Sequence, residues 1–170
     1  LKTYYPVEFM AALITSVMGN TDKVVEYIKE CNALGIEVLK PDINKSFSKF
    51  SVEKNNIRFG LSAIKNVGNN IIDNIVSERE NGDYKTLEDL VKRINDTNKR
   101  MIESLIKCGA FDSISENRRS LIMGYEELLD SISMDKKKNI KGQISLFDSF
   151  ESFSDEKSSF KMKVLDEFDE

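Results

Sequence analysis

Between Leu61 and Ile132 apolar residues recur at helical spacing, but Gly, Asn, Asp or Thr interrupts the pattern after every few turns. One piece carries Ile71, Ile72, Ile75 and Val76 and ends near Gly82; the next carries Leu87, Leu90, Val91 and Ile94 after Thr86. A third follows Asn98 with Ile102, Leu105 and Ile106, and a fourth runs through Leu121, Ile122, Tyr125, Leu128, Leu129 and Ile132. Helices this short are marginal in isolation, so their apolar stripes must be buried against neighbours, and 170 residues can bury one ordinary core or two small ones joined end to end. The pattern predicts a mainly α fold, a bundle of short helices.

The preceding residues add two helices and the only β signal of note. Pro6 suits a first helical turn, and Met10, Leu13, Ile14, Val17 and Met18 follow until Gly19-Asn20. Thr21 is the expected N-cap of a second helix with Asp22 in its first turn, a stripe of Val24, Tyr27, Ile28, Cys31 and Leu34, and Gly35 as its stop. Ile36 to Leu39 reads as extended. Phe50-Ser-Val52 and Ile57-Arg-Phe59 alternate around Lys54-Asn55-Asn56, as one small β-hairpin would.

Composition excludes several functions. No apolar run approaches the roughly 18 residues of a membrane span, and no secretory signal is present, so the expected location is cytoplasmic. The chain has no histidine, and Cys31 and Cys108 lie in unrelated patterns, which removes a zinc site and an imidazole base. Both cysteines are expected as reduced, partly buried thiols. The chain opens on Leu1-Lys-Thr-Tyr-Tyr, as a segment of a longer polypeptide would. Its net charge of -4 hides an uneven distribution: residues 148–170 hold eight acids and three lysines, a net of -5, which leaves the other 147 residues near +1. A nucleic-acid contact on so neutral a surface must rely on placed backbone donors more than on bulk charge.

Such donors are expected within Leu61-Ser-Ala-Ile64-Lys65-Asn66-Val67-Gly68-Asn69-Asn70-Ile71-Ile72. A short helix, a tight Asn-Val-Gly turn and a second helix leave the N–H groups of Val67 to Asn70 unpaired at a helix N-terminus, where a phosphate can accept them. Asn66 tolerates a left-handed backbone, and Gly68 permits close approach. The motif resembles the helix-hairpin-helix family, with Asn66 in place of the first glycine of that family's Gly-apolar-Gly hairpin. The competing reading is a plain Gly-terminated αα-turn. A second hairpin is expected 42 positions later in Leu105-Ile106-Lys107-Cys108-Gly109-Ala110-Phe111, with Asn117 capping the next helix. The expected DNA contacts are therefore Lys65, Asn66, Val67, Gly68, Asn69 and Asn70, with Lys107, Cys108 and Gly109 from the second turn. Paired hairpins of this family grip duplex backbone on both strands without reading bases.

Read together, Tyr4-Tyr-Pro-Val-Glu-Phe-Met-Ala-Ala-Leu13, Gly35-Ile-Glu-Val-Leu-Lys-Pro-Asp-Ile-Asn44, Ile57 to Gly68 and Leu105 to Asp112 resemble bacterial DNA polymerase III alpha subunits, in order and spacing. The resemblance implies that residues 1–55 are the end of a fingers region, 56–133 a tandem helix-hairpin-helix DNA-binding domain, and 134–170 a flexible linker and tail. It implies double-stranded DNA, a sliding clamp and other replisome subunits as partners. The catalytic carboxylates and their Mg2+ belong to a palm outside this segment, so no catalytic residue, metal ligand or cofactor is assigned here. The acids of the chain are scattered on helix faces or crowded into the tail, unlike a rigid two-metal site.

After the last expected helix comes Gly142-Gln143-Ile144-Ser145-Leu146-Phe147. A hydrogen-bonding Gln143 followed by Ile144, Ser145, Leu146 and Phe147 suits a docking peptide whose apolar end enters a pocket. By resemblance it is the clamp-binding peptide of this polymerase family; the bland alternative is an apolar cluster folding back on the last helix. Two whole-chain alternatives also stand: a self-contained, non-catalytic helix-hairpin-helix protein, and a hairpin-containing glycosylase using the Asn81-Gly82-Asp83 loop. The second lacks a further helical domain for a base pocket and the cysteines of an iron–sulfur site.

Overall fold

The computed structural model of the chain describes residues 3–115 and 117–144. Helix α1 (Pro6–Ser16) starts on Pro6, whose missing N–H costs nothing in a first turn. Helix α2 (Thr21–Ala33) is capped by Asn20 rather than Thr21: the Asn20 Oδ1 accepts from the Lys23 N–H at 3.2 Å. It ends as expected at Gly35, φ 75°, where Gly35 N–H donates to Asn32 O at 3.1 Å and Ile36 N–H to Cys31 O at 2.9 Å.

The β-hairpin forms from β2 (Ser51–Glu53) and β3 (Asn56–Arg58), paired antiparallel through Val52 opposite Ile57. The extended segment before it becomes β1 (Val38–Leu39), which pairs parallel with β3 and makes a three-stranded sheet of order β1-β3-β2. Arg58 locks this corner, donating to both carboxylate oxygens of Glu53 at 2.7 and 2.8 Å and to Lys40 O at 2.9 Å. Helices α1 and α2 and this sheet share one apolar cluster around Met10, Ile14, Cys31 and Ile57, all fully buried.

A 3-10 turn (Leu61–Ala63), α3 (Asn69–Glu78), α4 (Leu87–Arg93), α5 (Lys99–Lys107) and α6 (Arg118–Ile144) surround the second, larger cluster. Its centre is Leu61, Ile72, Ile75, Leu90, Met101, Ile102, Leu105 and Ala110, each at 0% exposure. Each large aliphatic side chain in that group contributes about 1.5–3 kcal/mol by leaving water. The clusters interlock in sequence, since Ile43 lies in the larger one and Ala63 packs on the smaller.

One expectation fails at the chain's far end. Instead of opening a linker at Met134, α6 continues through Lys136-Lys-Lys to Ile144. No residue from Met134 to Ile140 breaks a helix, and lysine is a good helix former. Lys136 also ties the extension to the bundle, donating to Val91 O at 3.2 Å and Asn95 Oδ1 at 3.4 Å. Among the described residues no helix is long and apolar enough to cross a membrane.

Candidate nucleic-acid interface

The first hairpin is built as the sequence implies. The 3-10 turn closes with Ile64 N–H on Leu61 O at 3.1 Å, Ile64 leaves it extended, and Asn66 takes φ 64°. Val67 tucks into the core, and Gly68, φ -76° and ψ 146°, stands as N-cap of α3. Ile71 and Ile72 N–H both donate to Gly68 O at 3.1 Å. No acceptor among the described residues takes the N–H groups of Gly68, Asn69 and Asn70. These three residues are exposed, as are Lys65 and Asn66. A Cβ at Gly68 would meet nothing within 4 Å, so the backbone there faces open solvent.

The expected second hairpin is not one. Cys108 and Gly109 close the C-terminus of α5: Gly109, φ 86°, donates to Ile106 O at 3.1 Å and Ala110 N–H to Leu105 O at 3.0 Å. That pair of bonds satisfies orphan carbonyls, and a helix C-terminus presents partial negative charge, the wrong sign for phosphate. Lys107 pairs with Glu103 one turn back, and the half-buried Cys108 thiol donates to Leu105 O at 3.2 Å. Burial pushes both the Cys31 and Cys108 thiols up, and both are free. Asn117 does cap α6, accepting from Ser120 N–H at 3.0 Å. The long turn before it is braced by Asp112, whose Oδ2 accepts from Lys40 at 2.8 Å and whose two oxygens both accept from Arg118. The Arg118 guanidinium, with help from Lys40, holds the Asp112 carboxyl below the usual carboxylate range.

The structural repeat lies 30 positions after the first hairpin, not 42. Ile94 leaves α4 extended, with φ -99° and ψ 124° against -86° and 129° at Ile64. Asp96 takes φ 63° where Asn66 takes 64°. Asn98, extended at φ -126° and ψ 161°, caps α5 in the position Gly68 holds before α3. The helices align residue for residue: Ile71 with Met101, Ile72 with Ile102, Ile75 with Leu105, and Val76 with Ile106. Asn98 Oδ1 takes the Met101 N–H at 2.8 Å, and among the described residues the N–H groups of Lys99 and Arg100 have no acceptor.

The repeat escapes a search for similar letters because only Ile64 and Ile72 recur, as Ile94 and Ile102, while Lys65-Asn-Val-Gly68 answers to Asn95-Asp-Thr-Asn98. The recoverable signal was conformational, a left-handed Asx residue two positions before an N-cap and an apolar residue at the same offset on each side. The two hairpins are also connected, through Asn66 Nδ2 donating to Ser104 Oγ on α5 at 3.3 Å.

Charge at the helix starts supports anion binding. Helices α1, α2 and α4 carry Glu8, Asp22, and Glu88 with Asp89 in their first turns, whereas α3, α5 and α6 carry no acid there. Helix α5 begins with Lys99-Arg100, two cations at the positive end of the macrodipole, which costs about 0.3–1 kcal/mol each until an anion arrives. Lys99 is steadied by Asp130 at 3.3 Å, while Arg100 has no side-chain partner among the described residues.

A family model described as the helix-hairpin-helix motif matches residues 35–121, just over half of the chain and inclusive of both hairpins. This chain belongs to the helix-hairpin-helix family. The DNA polymerase III subunit alpha of Borreliella burgdorferi is 47% identical over 133 residues, 76% of this chain and 12% of that protein. The same subunit of Saccharopolyspora erythraea is 46% identical over 133 residues, and that of Thermus aquaticus 48% over 132, each across 76% of this chain and 11% of the relative. The chain thus spans about a ninth of the length of these relatives. Its hairpins lie within a segment common to them.

Gln143 and Ile144 occupy the last turn of α6, and Ser145, Leu146 and Phe147 lie outside the described residues. Among the described residues no group of three or more Asp, Glu or Cys side chains gathers closely enough to hold a metal ion.

Proposed function

We propose that this chain holds duplex DNA by its sugar–phosphate backbone through two hairpins, as a non-catalytic part of a DNA-directed DNA polymerase III alpha subunit. The observation that carries the reading is the 30-residue repeat: two helix N-termini, α3 and α5, with the same entry geometry and free N–H groups. Each offers a phosphate the same cradle, so a duplex meets matched donors at two points of its backbone. Arg100 and Lys65 supply charge beside them. The contacts address phosphates and not base edges, so binding is independent of sequence, as a replicating enzyme requires.

Gln143 to Phe147 serves, in this reading, as a tether to the sliding clamp. Holding the polymerase on a ring around DNA makes rebinding intramolecular, which raises processivity without tighter DNA contact. Nucleotidyl transfer itself belongs to the parent enzyme in the cytoplasm, in company with other replisome subunits. Titrating the chain with two duplexes of unrelated sequence tests the DNA reading: equal affinities are expected, and a large preference for one would contradict it.

A further inference from the structure

The loop between β1 and β2 carries Lys45-Ser46-Phe47-Ser48-Lys49, and its Phe47 is 51% exposed. A single exposed phenylalanine is ordinary on a protein surface. This one is mounted. The Arg79 guanidinium lies 4.8 Å from the centre of the Phe47 ring, and is itself fixed by donating to Ser46 O at 2.7 Å and Ile43 O at 3.3 Å. One side of the ring is thus backed by a cation, and about half of the side chain's surface stays open.

The loop is bonded to the first hairpin. Leu61 N–H donates to Phe47 O at 2.8 Å, and Ser62 N–H to Ser48 O at 3.0 Å. The Ser48 and Ser62 hydroxyls share a 2.7 Å hydrogen bond, and Ser62 Oγ reaches Asn69 Oδ1, in the first residue of α3, at 3.0 Å. At Gly60 the strand passes so close that a Cβ would lie 2.6 Å from Lys49 C and 2.8 Å from Ser48 O. The loop is tightened from within by Ser46 N–H on Asp42 O at 2.8 Å and Asp42 N–H on Ser46 Oγ at 3.0 Å. The Phe47 backbone is thus tied through Ser48 and Ser62 to the start of α3, while its ring rests on Arg79, the residue that follows the end of that helix.

We propose that Phe47, seated on Arg79 and flanked by Lys45 and Lys49, stacks an unpaired base of single-stranded DNA next to the first hairpin. An aromatic face between cations is the chemistry that holds single strands, because every base has a π-face and every linkage a charge. Lys49 has no side-chain partner among the described residues, and Lys45 only a 4.0 Å approach to Glu53, so both can turn to phosphates. Inside a duplex each base is already stacked, which directs the ring to an unpaired nucleotide where duplex and single strand meet. A ring held in advance gives up little freedom on binding. The proposal rests on the duplex-binding reading and adds the substrate's single-stranded part.

The 170-residue chain is titrated with a blunt duplex and with the same duplex bearing a single-stranded overhang, whose first unpaired base is 2-aminopurine. Tighter binding of the overhang form by about fivefold or more is expected, as one base–aromatic stack gives, with quenching of the 2-aminopurine. Phe47→Ala should erase the preference and the quenching while leaving blunt-duplex affinity unchanged, and Phe47→Tyr should keep both. A preference that survives in Phe47→Ala, or an equal loss on both DNAs, overturns the proposal. So does a chain that never distinguishes them, which would make Phe47 a protein-docking feature. Failure to bind either DNA would overturn the duplex reading as well, so the blunt arm separates the two.

Discussion

Asn66 and Asp96, 30 positions apart, hold the same left-handed backbone, with φ of 64° and 63°. Each sits two residues before the N-cap of a helix whose first N–H groups are free, and each turns the chain so that those groups face solvent. The left-handed conformation costs an ordinary residue about 1–2 kcal/mol, less for Asn and Asp, and nothing for glycine.

Backbone strain therefore distinguishes two substitutions at each site. Asn66→Val and Asp96→Val should each lower unfolding free energy by about 1–2 kcal/mol in chemical denaturation, whereas Asn66→Gly and Asp96→Gly should be neutral or stabilising. Valine variants as stable as the glycine variants would show that the hairpins do not need this conformation.

Much of this fold was legible in the sequence, and the reason is local. The caps at Thr86, Asn98 and Gly35 and the apolar stripes of α3 to α6 each depend on residues within a turn or two. The first hairpin was readable for the same reason, its Asn66 and Gly68 being where the backbone requires them. The second was misplaced because Lys107-Cys-Gly109 has the letters of a turn but closes a helix C-terminus, whereas Asn95-Asp-Thr-Asn98 has the geometry without the glycine. The extended reading of Ile36 to Leu39 holds as β1, but its place in the sheet was not legible, because its partner β3 lies 19 residues away, Val38 facing Ile57, and pairing at that range leaves no periodic mark in two residues. The extension of α6 was hidden by a polar stretch that reads as linker until Lys136 is seen to reach Val91.

Gly109 and Arg100 separate structure from contact. Gly109→Ala meets both a positive φ and the Arg118 guanidinium, 2.8 Å from the new Cβ, so it should destabilise the fold by more than about 1 kcal/mol. Measured where the variant is still folded, its duplex affinity should equal that of the parent. Arg100→Ala should leave thermal stability within about 0.5 kcal/mol and weaken duplex binding. The reverse pattern would return the second contact to Lys107-Cys-Gly109.

Tyr84 sets an alkaline limit. Its hydroxyl donates to Ile75 O at 2.8 Å, its ring lies 4.5 Å from the Arg93 guanidinium, and burial pushes its pKa from 10 up to about 12. The folded state holds the phenol proton more tightly than the unfolded state. This contribution is whole below about pH 10 and fades as pH rises from 10 toward 12. Tyr84→Phe should cost about 0.5–1.5 kcal/mol at neutral pH and flatten that alkaline decline in pH-dependent denaturation. An unchanged slope would place the sensitivity elsewhere.

The tether is testable by subtraction. Replacing Gln143, Leu146 and Phe147 together with alanine should reduce sliding-clamp binding in a pull-down at least tenfold, while duplex affinity stays the same. Undiminished clamp binding would remove that peptide from the account.

In the proposed complex both hairpins hold phosphates through backbone N–H groups. Gly68 lies at an ordinary φ of -76° with open space around it, so Gly68→Leu probes contact without straining the fold. The most direct measurement is duplex affinity across a salt series for the parent chain, Gly68→Leu, Arg100→Ala and the double variant, with circular dichroism as the folding control. Gly68→Leu should bind about tenfold more weakly, Arg100→Ala should lower the salt slope by about one, and the double variant should lose nearly all binding with its helical signal intact. Parent-like affinity and slope in the double variant would contradict the account.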